Sequence, residues 1–458
     1  MPRTDTPTRA QRLDVLPFTR EHRRLLLGSG TGWALDALDV GLISFILAQL
    51  SVQWQLSPGE ASAIASIGFV GMAIGAALGG LLADRLGRRQ VFALTLLVYG
   101  TFTGVSALAW SVGALIVFRF LVGLGLGAEL PVASTLVSEF APARIRGRVV
   151  VVLESFWAVG WTLAALIGFL IVPRGDDGWR WALALGAVPA LYAVVVRFGL
   201  PESVRFLESK GRHDEAEAVV RRFEDSAGTE RSPVPVADQP VGPDAAVATT
   251  GRGQNRVAAL WAAPLRRRTA ALWAVWFCVN FSYYGAFIWL PSLLYASGFS
   301  LVRSFGYTLL ITLAQLPGYA VAAILVEVWG RRRTLVAALL GSAAAAALFA
   351  SAPAAGAEGG TATVLTAGML LSFFNLGAWG ALYAVTPELY PTTLRGTGSG
   401  WAAGAGRIAS IVAPLCVPLL SGAGGTGLVF AVFAAVFVLA ALAATALPEL
   451  RGRALAEG

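Results

Sequence analysis

The 458-residue chain is 56% hydrophobic and only 14% charged, with a mean hydropathy of +0.67. So little polar surface excludes an ordinary soluble fold and calls for helices that bury themselves in lipid. A net charge of +8 would suit a nucleic-acid binder, but the arginines are dealt out to alternate loops rather than gathered on one patch, which excludes that partner too.

Residues 1–24 are polar and the first apolar run is too long for the h-region of a signal peptide, so no cleaved leader is expected. Twelve apolar stretches follow, near 25–50, 60–83, 91–110, 113–138, 149–172, 179–199, 269–294, 304–328, 334–352, 362–386, 397–420 and 426–447. Each has about 20 residues, enough to cross ~30 Å of hydrocarbon as a helix. The predicted fold class is an all-α membrane protein with twelve transmembrane helices.

The expected organisation is a polar N-terminal segment over 1–24 and a first six-helix bundle over 25–199. Surface helices and a linker over 200–267, a second bundle over 268–447 and a tail over 448–458 complete it. In the middle segment Pro201 to Ala216 has helical spacing, whereas 226–256, rich in Pro, Gly, Ala, Ser and Asp, reads as a linker.

Arginine clusters at Arg20, Arg23 and Arg24, at Arg85, Arg88 and Arg89, and at Arg144, Arg146 and Arg148. It clusters again at Arg266–Arg268, Arg331–Arg333, Arg395, and Arg451 with Arg453, whereas the opposite loops hold Arg174, Arg180 and Arg303. By the positive-inside rule both termini are cytoplasmic, and the basic loops face anionic lipid. Cys278 and Cys416 fall inside spans and imply no disulfide framework. Glycines at 68, 71, 75, 79 and 80 in span two and at 123, 125 and 127 in span four mark close helix approaches.

Two motifs recur about 245 residues apart, the mark of two homologous halves. One runs Gly80-Leu-Leu-Ala-Asp84-Arg85-Leu-Gly87-Arg88-Arg89 and returns as Glu327-Val-Trp-Gly330-Arg331-Arg332. The other pairs Glu139, Pro142 and Arg146 in the first half with Glu388, Pro391 and Arg395 in the second. An acid at a helix end with arginines in the next loop can close a cytoplasmic gate and release it, which lipid-facing charge alone does not explain. The candidate gate is Asp84, Arg85, Gly87, Arg88, Glu139 and Arg146 with Glu327, Arg331, Glu388 and Arg395.

With the span-four stretch Arg119-Phe-Leu-Val-Gly123-Leu-Gly125, these motifs resemble the major facilitator superfamily across the whole chain beyond termini and linker. The resemblance implies two pseudo-symmetric six-helix bundles, a substrate site between them, no cofactor and a monomer. Pro201-Glu-Ser-x-Arg-Phe-Leu is similar to the segment after span six in sugar porters, organic ion transporters and synaptic vesicle glycoprotein 2 relatives. Span seven has no paired glutamines of the sugar-porter kind, and Ser155–Phe169 no Gly-Pro antiporter pattern. Gly32-Trp33-x-x-Asp36-Ala-x-Asp39 in span one is similar to bacterial nicotinate transporters and, more distantly, to aromatic-acid/proton symporters. That likeness implies a bacterial inner-membrane importer of a small aromatic carboxylate, driven by protons.

An ionised group at mid-membrane costs a few kcal/mol, so each is a functional candidate unless paired. Asp36 and Asp39 share a helix face and form the candidate proton-coupling pair, supported by Arg119, Glu129 and Glu154. The competing reading has one acid permanently neutralising Arg119 or Arg407. Arg407 suits a carboxylate, since a guanidinium matches it with two parallel hydrogen bonds. Trp157, Trp161, Tyr283, Tyr284, Trp379 and Tyr383 are candidates to stack on a planar ring, and Asn280, Gln315 and Asn375 to hydrogen-bond it. Trp289, near a span end, reads as an interfacial anchor. His22 and His213 lie outside the spans, so coupling falls to carboxylates. No metal-ligand cluster, nucleotide loop or nucleophile–base arrangement is present, so the chain reads as no enzyme. An organic-cation facilitator, with the aspartates on the substrate, and a non-transporting receptor are the alternatives.

Overall fold

The computed structural model describes residues 7–228, 256–263, 265–352 and 360–449, apart from the side chains of 130, 131, 256, 392, 393 and 395. Most of the linker and tail expected from the sequence therefore lies outside the described residues. Ten helical stretches are long and apolar enough to cross a membrane. One of them, Gly396–Thr445, holds two spans, divided where Gly424 and Gly425 leave helical backbone angles. Helix Arg88–Ser106 completes the set of twelve.

The spans of the first half are Arg20–Gln53, Pro58–Leu86, Arg88–Ser106, Val112–Phe140, Arg146–Leu170 and Gly178–Gly199. Those of the second are Arg266–Ala296, Leu301–Val328, Arg331–Ala350, Gly360–Val385 and the two arms of Thr392–Thr445. Helices suit this setting because each satisfies its own backbone polar groups in lipid. Their exposed first turns are closed by side chains. Thr19 and Ser57 form capping boxes with His22 and Glu60, and Ser111 and Ser300 accept from the third N–H of spans four and eight.

Within the first half span one packs on five, and spans two and three pack on four. Spans two and four cross with almost no side chain between them. A Cβ on Gly75 would stand 2.2 Å from the Leu124 carbonyl, and one on Gly127 2.0 Å from that of Met72. In the second half span seven packs on eleven and twelve, and nine and eight on ten. The halves meet where span two touches eleven, span one touches seven and span five touches eight. At the end away from the basic loops this seam is aromatic. Phe45 and Phe305 stand edge to face at 5.3 Å, and Phe169 covers Gly306.

The segment after span six folds as helices Val204–Ser209 and His213–Ala227, the surface helices that its spacing predicts. A short N-terminal helix, Arg9–Asp14, is stapled onto them. Arg9 pairs with Glu208 and Glu217 at 3.0 Å, while buried Arg12 grips Glu224 with both arms of its fork and reaches Glu217 at 2.9 Å. Asp14 continues the staple onto Arg146 at the start of span five. Burial pushes the Glu217 carboxyl up, but hydrogen bonds from Arg12 and Arg9 outweigh it, and its pKa lies below the ordinary 4.5.

Two outcomes follow. Gly75→Val should cost more than the ~1–3 kcal/mol of ordinary overpacking, because backbone rather than a side chain blocks the Cβ. The melting temperature of the purified protein in detergent would fall by several degrees. A carboxylate with a depressed pKa stabilises above its unfolded value and loses that contribution as pH falls through the folded one. Hydrogen exchange over residues 9–14 should therefore be slow at neutral pH and speed up on acidification below the ordinary glutamate value of 4.5.

Candidate functional site

Trp33, Asp36 and Asp39 recur every three residues on span one, so the helix presents them to the interior along one side. All three are buried. Asp39 is fully engaged. Arg119 of span four donates to its Oδ2 at 2.9 Å, and Thr103 of span three donates to Oδ1. Of the two arginines named as partners for these acids, Arg119 is the one paired with Asp39 here. Asp36, one turn nearer the basic loops, has no hydrogen-bond partner on either oxygen among the described residues. The charged groups acting on it are Arg407 and Asp39, and it acts in turn on Glu129. Glu129 is wholly buried beside Tyr99, with its Oε1 against Gly32, a further turn down span one. The acids therefore form a file along spans one and four.

Arg407 comes from span eleven and, among the described residues, is in no ion pair. Its guanidinium lies against Tyr284 and reaches the Met72 sulfur at 3.8 Å. Among the described residues, that sulfur contact and a hydrogen bond from Trp157 Nε1 to the Tyr283 hydroxyl at 3.0 Å are the polar contacts that join the halves. Arg407 forms one wall of a cavity between the bundles, with Trp33, Glu154, Trp157, Tyr284, Tyr319, Trp379 and Tyr383 as the rest. About 320 Å³ of space lies between these side chains, its open mouth included. Trp33 and Trp157 are tilted at 5.1 Å, and Trp379 stacks on Tyr383 at 5.7 Å.

Five of the residues expected to touch substrate line this cavity: Arg407, Trp157, Tyr284, Trp379 and Tyr383. Glu154, expected on the proton route, lines it as well. The others stand behind the wall. Trp161 and Tyr283 are fully packed between spans five and seven, ring to ring at 5.7 Å. Asn280 donates to the Trp276 carbonyl and accepts from Ser410, so it ties span seven to span eleven rather than facing the cavity. Gln315, beside the Tyr283 hydroxyl, and Asn375 are both without exposed surface and do not line it. Asp36 and Asp39 are likewise a layer back. Trp289 is a correction. It is 7% exposed and packed in the core, so it is no interfacial anchor.

Sequence reasoning missed Trp33 and Tyr319, although each had a signal. Trp33 sits one turn from Asp36, and Tyr319 one turn from Gln315, a polar residue inside a span.

At the basic end the two halves carry the same device. Gly87 and Gly330 both adopt φ of +99°, which carries each chain from one helix straight into the next. Arg88 pairs with Asp84 at 3.3 Å and approaches Glu139 at 3.9 Å, while Arg331 reaches Glu388 at 3.3 Å and Glu327 at 3.9 Å. Each loop is also pinned by an acid outside the expected set. Glu202 accepts from the Arg88 and Arg89 amides, and Glu449 from that of Arg331. Arg89 and Arg332 donate to the carbonyls of Leu200 and Leu447. The sequence signal was a third repeat, Leu200-Pro-Glu202 and Leu447-Pro-Glu449. Glu139 takes a hydrogen bond from Ser203, Arg146 is held by Asp14 and the Ala141 carbonyl, and Arg85 is exposed. The Arg395 side chain lies outside the described residues.

The sequence profile described as "Sugar (and other) transporter" matches residues 29–457. The chain belongs to that family. It is 48% identical over 406 residues to the niacin transporter NiaP of Acinetobacter baylyi, covering 89% of each chain. To the synaptic vesicle 2-related protein of Rattus norvegicus it is 29% identical, over 100% of this chain and 83% of that one. Its fold matches the xylose transporter XylE of E. coli, solved in a partially occluded inward-open conformation. There the TM-score is 0.75 and the identity 20%, over 95% of this chain and 100% of the other. The protein is thus a transporter of the major facilitator fold and not an enzyme.

Removing one side of the Asp39–Arg119 pair strands a charge in the bundle, which costs about 3–5 kcal/mol. Asp39→Asn should lower the melting temperature sharply, and adding Arg119→Gln should restore most of the loss. A double variant no more stable than the single one would show that the pair is not a closed unit.

Proposed function

We propose that this chain imports nicotinate across a bacterial inner membrane by proton-coupled alternating access. The observation that carries the reading is an unpaired guanidinium in an aromatic box between two helix bundles. Arg407 supplies two parallel donors for a carboxylate, and Trp33, Trp157, Tyr284, Trp379 and Tyr383 supply faces for a flat ring. The 48% identity to a niacin transporter supports the same substrate.

Coupling rests on Asp36. An ionised Asp36 is an internal rival for Arg407, because the guanidinium is the charged group that acts on it most strongly. Protonating Asp36 removes the rival and frees Arg407 for the substrate carboxylate. Binding of anion and proton is then mutually favourable, which is the thermodynamic content of symport. Asp39, held by Arg119 and Thr103, is the second acid of the pair, and the Arg119 bond must loosen for it to take a proton. Glu129 continues the file toward the basic loops, which the positive-inside rule assigns to the cytoplasm. The aromatic seal of Phe45, Phe305 and Phe169 is then the closed outer side of the transporter. Rocking of the halves opens it while the Arg88 and Arg331 networks rearrange at the inner face. The transporter works as a monomer, since the whole site lies within one chain.

Purified protein in liposomes should accumulate labelled nicotinate when an inward proton gradient is imposed, and only equilibrate it without one. Asp36→Asn should keep nicotinate exchange and lose the gradient-driven accumulation. Accumulation by that variant would remove Asp36 from the coupling step, and gradient-independent uptake by the wild type would end the symport reading.

A further inference from the structure

The cavity wall holds one basic and one acidic side chain, Arg407 and Glu154, and only the first has been given a ligand. Glu154 is 3% exposed, and the little surface it keeps is turned to the cavity. Among the described residues its carboxyl group has no hydrogen-bond or ion-pair partner. The neighbouring Trp157 N–H is already committed to Tyr283, and the nearby acid, Asp36, repels rather than pairs. A carboxyl group so enclosed among rings is costly to hold without a partner, so the ligand itself is where a partner is to be found.

The chemistry of the walls defines that ligand. One end meets a guanidinium and must be an anion. The body lies between tryptophans and tyrosines and must be flat. The remaining polar atom meets a carboxyl oxygen. We propose that Glu154 reads the ring nitrogen of a pyridine carboxylate through one shared proton. This rests on the nicotinate reading above and adds the contact that separates nicotinate from benzoate.

The proton balance is simple. A pyridine nitrogen offers only a lone pair in the ring plane, so an ionised Glu154 repels it and a neutral one donates to it. In the bound state the proton either stays on Glu154 as O–H···N or crosses to the ring as N–H⁺···⁻O, and no other bond changes. Benzoate has no such atom and would leave Glu154 buried and unsatisfied. A site built to hydrogen-bond its ligand rejects analogues that cannot reply, far more strongly than an apolar wall rejects a size change.

Calorimetric titration of the purified wild type with nicotinate and benzoate should give a preference of about tenfold or more for nicotinate, the usual worth of one charge-assisted hydrogen bond. Glu154→Gln, whose amide still donates to the nitrogen, should keep most of that preference. Glu154→Leu should shrink it to about twofold or less by removing the carboxyl partner proposed for that atom. Equal binding of the two acids by the wild type, or an unchanged preference in Glu154→Leu, would overturn the assignment. A measurement that needs no variant is the 15N resonance of labelled nicotinate bound to the wild type. A shift of the ring nitrogen toward its protonated position is expected, and a resonance like that of the free anion would overturn the assignment. Bound nicotinate with an unshifted nitrogen removes Glu154 alone, whereas absence of nicotinate binding removes the substrate reading beneath it as well.

Discussion

Two arginines lie deep in the bundle interior, and the structure treats them differently. Arg119 is neutralised by Asp39 in a buried pair reinforced by Thr103. Arg407 reaches the Met72 sulfur and, among the described residues, no carboxylate pairs with it. A guanidinium taken out of water and left unpaired is expensive, and the bundle tolerates it because the cavity, the Tyr284 ring and the nearby Asp36 share the burden. Had Asp39 and Asp36 divided the two arginines between them, the site would be a closed set of salt bridges with nothing to offer a carboxylate.

The second organising feature is the duplication at the basic end. Gly87 and Gly330 turn through the same backbone conformation, and Glu202 and Glu449 accept from the first amides of the helices that follow. The acid satisfies donors that a helix start leaves open and also complements its dipole. Each half is thereby tied, loop to terminal segment, into a unit able to move as one body. On the first half the N-terminal helix extends the tie through Arg12, Glu217 and Glu224 to the surface helix, and through Asp14 to Arg146.

The fold was legible almost entirely, because crossing a membrane imposes a length and polarity that the chain cannot hide. Spans eleven and twelve run on as one helical stretch apart from two non-helical glycines, Gly424 and Gly425, which fall in the gap between 420 and 426 that hydropathy leaves. The site was legible in its charged members and less so in its walls. Arg407 and the acids stand out because they are costly where they are. Tryptophans and tyrosines are not costly, so the sequence could not say which ones face the cavity. Trp161 and Tyr283 pack fully while Trp33 and Tyr319 line it, a distinction set by helix rotation. Asn280 looked like a ligand contact for the same reason. An amide inside a span needs partners, and Trp276 and Ser410 provide them within the protein. Glu202 and Glu449 were hidden because a single Leu-Pro-Glu looks like an ordinary helix stop until its second copy is set beside it.

The claim on which the account turns is that Arg407 is held free for the carboxylate of the transported molecule. Nicotinate and nicotinamide share ring and size and differ at that one group, so calorimetric binding of both to the wild type and to Arg407→Gln isolates it. The account predicts that the wild type favours nicotinate by roughly tenfold to a hundredfold, as expected for a charge-assisted pair, and that Arg407→Gln erases the difference while still binding the rings weakly. A variant that binds nicotinate as tightly as the wild type would contradict it.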